Sequence, residues 1–230
     1  MSSALELATL GAAGWDTSAA PAHRFTNWTS ATSDPTNADG AARGYYVGHR
    51  WFNTATGNEF YCVDATAGAA KWRHVPRLLA QSGTAVVAPA NDTNENILAT
   101  IALAANVIGL NGALVVESTW TYTNSANNKN LRTRLGGISG TVCMNLTLTT
   151  TANYSDRRRI MVRGAANSQT VSSSTGGTPG GLGTGTAALP TPAIDTTAAV
   201  DLVLTAQKAT GSETVTLESY SVMLTRPDIT

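Results

Sequence analysis

Thr141-Val142-Cys143-Met144-Asn145-Leu146-Thr147-Leu148-Thr149 alternates its side chains residue by residue. Val142, Met144, Leu146 and Leu148 fall on one side; Thr141, Cys143, Asn145, Thr147 and Thr149 fall on the other. A repeat of two is the pleat of a half-buried β-strand, whereas a helix would scatter these positions around its axis. The same rule places Ile97, Ala99, Ile101 and Leu103 on one face, and likewise Val116, Ser118, Trp120 and Tyr122. Val200, Leu202, Leu204 and Ala206 alternate with Asp201, Val203, Thr205 and Gln207. No stretch sustains an apolar repeat of 3.6 for three turns. Thr, Asn, Ser and Gly dominate the uncharged polar residues, and these suit strands and tight turns. The expected fold is all-β.

Composition bounds the rest. Of 230 residues, 42% are apolar, enough for a packed core and too many for a disordered chain. Only 13% are charged, with fifteen basic against fifteen acidic residues and a formal net charge of zero. That balance argues against electrostatic capture by nucleic acid or a membrane surface. Thr, Asn and Gly interrupt every apolar run, so no membrane-spanning helix is expected. The opening MSSALELATLGAAGW lacks a basic n-region and reads as no signal peptide. Cys62 and Cys143 lie in different segments and read as two buried, reduced thiols.

The chain divides by pattern. Residues 1–30 carry Trp15, Phe25 and Trp28 without a repeat long enough to make a domain, and read as an anchoring segment. Residues 31–78 form a small aromatic module. There, Trp51–Thr54 and Glu59–Val63 flank Ala55-Thr56-Gly57-Asn58 as a hairpin, with Gly57 or Asn58 at positive φ. Trp72 returns on a third short strand, giving a core of Trp51, Phe60 and Trp72. Residues 79–89 read as a linker. Residues 90–230 supply about eight strand-like segments, which suits a jelly-roll-like antiparallel β-sandwich. Within them, residues 172–192 are dense in Gly, Ser, Thr and Pro. They read either as a plain surface loop or as an ordered excursion onto another subunit that shelters Leu182 and Leu189.

No catalytic constellation emerges. His23, His49 and His74 are isolated, and no zinc spacing, nucleophile elbow, P-loop or dinucleotide fingerprint occurs. Asp195/Asp201 and Glu213/Glu218 read as solvent-facing strand ends rather than a glycosidase pair. The expectation is a non-enzyme without metal or cofactor. One window is basic: Lys129, Arg132, Arg134, Arg157, Arg158, Arg159 and Arg163 against the single acid Asp156. Arg132 and Arg134 share a strand face, as do Arg157 and Arg159. These four form a candidate patch for an anionic ligand or for pairing between subunits.

Two stretches carry a resemblance. Gly44-Tyr45-Tyr46-Val47-Gly48-His49-Arg50-Trp51-Phe52-Asn53-Thr54 leads through Thr56-Gly57 and Tyr61-Cys62-Val63-Asp64 to Ala67-Gly68-Ala69-Ala70-Lys71-Trp72. This resembles a small module that recurs in structural proteins of tailed bacteriophages. The second stretch runs from Asn96-Ile97-Leu98-Ala99-Thr100-Ile101 through Asn111-Gly112-Ala113-Leu114, Trp120, Tyr122 and Asn124 to Leu131–Gly137. It resumes at Asp195-Thr196-Thr197 and Thr214–Tyr220. It is similar to the C-terminal jelly-roll domain of phage fibre or spike proteins. The resemblance implies a virion component on the outer surface of the particle, a homotrimeric head fibre, short tail fibre or decoration spike. It also implies contact with other virion proteins through the N-terminal region and with a host surface glycan. The competing reading is a monomeric carbohydrate-binding module, for which Trp120, Tyr122, Tyr154 and Tyr220 are the available aromatics.

Overall fold

The structure, a computed structural model, describes residues 27–172 and 188–230. Trp15, Phe25 and most of the 172–192 stretch, Leu182 included, lie outside the described residues. The protein is all-β, and its chain forms two compact units.

The first unit comprises residues up to Val75 together with Asp228–Thr230. Four strands line up in chain order: β1 (Trp28–Ala31), β2 (Arg50–Asn53), β3 (Glu59–Asp64) and β4 (Lys71–His74). β1 runs parallel to β2, and the other pairs are antiparallel. Trp28 to Ser30 therefore belong to this sheet, and the unit starts before the expected boundary at residue 31. The β2–β3 connection is the expected hairpin. Its positive φ of 73° falls to Gly57, and Asn53 Oδ1 accepts the amides of Ala55 and Thr56 at 3.0 and 3.2 Å. Trp51, Phe60 and Trp72 are buried around one centre with Cys62 and Ala70. Trp51 and Trp72 meet edge to face at 5.7 Å, and their indole N–H groups donate to Ser33 O and Asp39 O. The end of the chain closes this core: Ile229 and Trp72 exchange two backbone hydrogen bonds, and Arg73 pairs with Asp228 at 3.1 Å.

The second unit is Pro76–Pro227. Sheet I has the order β10-β9-β13-β7, from β10 (Thr141–Leu148), β9 (Lys129–Leu135), β13 (Val200–Lys208) and β7 (Asn96–Leu103). Sheet II has the order β12-β11-β8-β14-β5, from β12 (Gln169–Val171), β11 (Asn153–Val162), β8 (Ala113–Tyr122), β14 (Val215–Thr225) and β5 (Arg77–Ser82). A short β6 (Val86–Val87) also pairs with β14. Inward side chains of both sheets form a single core that includes Trp120, Leu131, Leu135, Ile160, Leu202, Leu204 and Val222. This is a jelly-roll-like sandwich. The stretch expected as a linker, 79–89, instead supplies most of β5 and all of β6. The hydrogen bonds that β14 offers on its open side draw these residues into sheet II.

Bulges correct the expected faces. Between Val142 and Met144 the β9–β10 register slips by one, so Cys143 and Met144 are both buried. Opposite Leu204/Thr205, β7 carries one extra residue, which turns Ile97 outward at 44% exposure and puts Leu98 inside. Glu213 is not a solvent-facing strand end. Its carboxylate accepts from Ser125 and Asn127 and lies 3.5 Å from buried Lys129. Lys129 faces Lys208 across the β9–β13 ladder, and Lys208 Nζ donates to the carbonyls of Pro89, Gly211 and Glu213.

Two stability outcomes follow from the small unit. Trp72→Ala should cost about 3–5 kcal/mol and open residues 31–75 to protease while Pro76–Pro227 stays resistant. Ending the chain at Pro227 removes two backbone hydrogen bonds, each contributing about 0.5–1.5 kcal/mol net. Denaturant titration should show the small unit alone weakened by about 1–3 kcal/mol.

Candidate functional site

The four arginines expected to form one patch lie on two different sheets. On β9, Leu131, Thr133 and Leu135 point into the core, which turns Arg132 and Arg134 outward together. Glu95, just ahead of β7, reaches across that face. Its carboxylate takes Arg134 Nε and Nη2 at 2.7 Å, Arg132 Nη1 at 2.9 Å and Thr205 Oγ1 at 2.5 Å. Burial alone would raise the Glu95 pKa, but the hydrogen bonds from Arg134 and Thr205 and the charges of Arg132 and Arg134 together hold it below the ordinary range. Both cations are already paired, sharing the one carboxylate.

Arg157 and Arg159 stand on the outward face of β11, in sheet II. Arg157 pairs with Glu117 at 3.3 Å in an exposed bridge, a geometry that contributes little to stability. Arg159 is exposed and has no ion pair among the described residues. Between them Arg158 turns inward, fully buried, 2.9 Å from Asp156. The single acid of the basic window is thus the partner of its buried arginine. Tyr154 donates to the same carboxylate at 3.2 Å, and burial, with the Asp156 charge, pushes the Tyr154 pKa up to about 12.

Beside Arg159 lies a shallow pocket of about 140 Å³, lined by Met161, Thr170, Val171, Ser172 and Leu189 as well as Arg159. Its lining is apolar, and it is smaller than the roughly 300–1,000 Å³ typical of small-molecule sites. Leu189 is exposed.

The aromatics of the sandwich do not form a sugar-stacking platform. Trp120 and Tyr122 are buried, and Tyr154 and Tyr220 pack against the core. Exposed aromatics occur in the small unit instead. Trp28 is 47% exposed and stacks on Phe52 at 6.0 Å, and exposed Tyr46 bonds to Asn27. Of the three expected anchoring aromatics, Trp28 is the described one, and it is open to a partner.

Cys62 and Cys143 are free and buried in separate units; burial pushes the Cys143 thiol up to about 12. Among the described residues, no group of three or more His, Cys, Asp or Glu is placed to hold a metal ion, and no helix is long and apolar enough to cross a membrane. No protein-family profile matches the chain, and no curated protein matches it in sequence.

His49 was missed as a structural residue. Its ring is buried against Tyr45 and Tyr46, with Nε2 2.8 Å from Thr29 Oγ1. Burial lowers its pKa, so folding favours the neutral ring. The contribution is intact above the ordinary histidine value near 6.5 and is lost as pH falls below it. Melting of the small unit should drop between neutral pH and pH near 5, and His49→Gln should flatten that dependence. In the sandwich, Glu95→Gln should lower stability by about 1–3 kcal/mol, because it strips charge from a partly buried Arg–Glu–Arg cluster. The penalty should shrink in acid as the wild-type carboxylate protonates; paired melts at both pH values check it.

Proposed function

We propose that the chain is a non-enzymatic structural protein on the outer surface of a bacteriophage particle. It would be a homotrimeric fibre, spike or decoration protein, joined to other virion proteins through its N-terminal region. The sandwich would be the unit displayed to the host surface, with a surface glycan as its target. The observation that carries this reading is the path of the chain. The strands from Trp28 to His74 and the segment Asp228–Thr230 form one compact unit, and the whole sandwich is an excursion between Val75 and Asp228. One unit for attachment and a second for display suits an attached surface protein.

The phage-type module supports the reading on physical grounds. Gly44, Gly48, Gly57 and Gly68 all have positive φ, and Trp51, Cys62, Ala70 and Trp72 are buried. The motif is therefore a folding signature whose spacing is dictated by turns and core. Trp28, exposed and stacked on Phe52, lies within residues 1–30 assigned to anchoring, and an exposed tryptophan there suits a protein partner. Of the sandwich aromatics open to the carbohydrate-module alternative, Trp120 and Tyr122 are buried and Tyr154 and Tyr220 are half-buried against the core.

A chain lacking residues 1–26 should fold with its sandwich intact yet fail to join particles when supplied in trans. Normal copy number on purified particles, counted by quantitative immunoblot, would overturn the anchor assignment.

A further inference from the structure

The two edges of sheet I are long and carry no charge. β10 pairs with β9 alone and β7 pairs with β13 alone among the described residues, which leaves the outer backbone groups of each free of strand partners. Each edge strand has eight residues. No Asp, Glu, Lys or Arg occurs from Asn96 to Val116 or from Leu135 to Ser155. In a chain that is 13% charged, these windows surround the two strands that most need protection. Sheet II guards its edges differently: β12 has three residues, and β5 opens on Arg77 and meets β14 through a bulge. The bulges of sheet I sit near one end of each edge, leaving Met144–Leu148 and Ala99–Leu103 regular.

We propose that copies of this chain join edge to edge, β10 of one sandwich adding to β7 of the next so that sheet I continues across the interface. Strand direction supports this pairing. All neighbours in sheet I are antiparallel, so its two edge strands run in opposite senses. Rotation about an axis along the strands keeps every copy in the same sense, and β10 then meets β7 of its neighbour antiparallel. Cyclic symmetry closes such a head-to-tail contact into a ring. Side chains agree as well. Thr141, Asn145 and Thr147 project outward on β10, and Ile97, Thr100 and Ala102 do so on β7. A second copy brings no like charge to either edge, and the β-branched residues at both suit cross-strand packing. The inference rests on the self-assembly in the reading above and is independent of the phage assignment.

The test is amide hydrogen exchange on the full chain at high micromolar concentration, with mass measured in parallel by light scattering. Wild type should be an oligomer whose Met144–Leu148 and Ala99–Leu103 amides are both protected like interior strands. The exposed double change Asn145→Asp/Thr147→Asp should strip protection from β10 and, at the same time, from the unaltered β7. Adding Thr100→Lys/Ala102→Lys should restore both. Unchanged protection of the interior β8 and β13 amides in every variant checks that the sandwich still folds. A monomeric wild type overturns the proposal, and so does protection that survives the Asp pair. Loss confined to β10 also overturns it, since that outcome marks a two-fold β10–β10 contact. None of these results bears on particle attachment, which the truncation of residues 1–26 tests separately.

Discussion

Trp120 lies fully buried on β8 where the inner faces of the two large sheets meet, its indole N–H satisfied by Ser118 two residues away. Around it, the alternation of each strand delivers apolar side chains from β7, β9, β10 and β13 on one side and β8, β11 and β14 on the other. Fully burying a large apolar side chain is worth about 1.5–3 kcal/mol, so this shared face is the dominant favourable term. It also dictates what the outward faces are free to do. Along the regular stretches of β9 and β11, residues point out because their neighbours in the chain point in.

The charges illustrate that dependence. Leu131, Thr133 and Leu135 take the inside of β9, so Arg132 and Arg134 emerge side by side and need an anion, which Glu95 supplies. On β11, Asp156 and Arg158 share the inward face and neutralise each other there, while Arg157 and Arg159 are left outside on the opposite sheet. At the end of sheet I, buried Lys129 and Lys208 face each other, their heads bound mainly by carbonyls and by Glu213. Burying a cation is tolerable only when its donors are used. A chain neutral overall has thus spent much of its positive charge on internal geometry.

The small unit solves a different problem. Its sheet is too small to be stable by apolar area alone. It relies on interlocked tryptophans whose N–H groups reach backbone carbonyls, and on Ile229 adding a bridge to Trp72 from the far end of the chain. Tying Asp228–Thr230 into the sheet built from Trp28–His74 makes the stability of the small unit depend on residues separated by the whole sandwich.

Several of these features were legible in the sequence. Period-two alternation identified the long strands of the sandwich, and turn residues and aromatic spacing marked the β2–β3 turn at Gly57 or Asn58 and the Trp51–Phe60–Trp72 core, because pleat and turn geometry are local. It also showed that Arg132 shares a face with Arg134 and Arg157 with Arg159, since that follows from spacing along a single strand. Which sheet each strand joins does not. The separation of the two arginine pairs, the capture of Arg134 by Glu95, the burial of Glu213 and the return of Ile229 to Trp72 all depend on partners remote in sequence. Single-residue bulges at Cys143 and Leu98 reversed the face of a few side chains, and nothing in the alternation marks where a ladder slips. Local periodicity determined the strands, whereas the pairing of distant segments, driven by burial and by the need to satisfy each backbone and charged group, decided which surfaces remain to meet a partner.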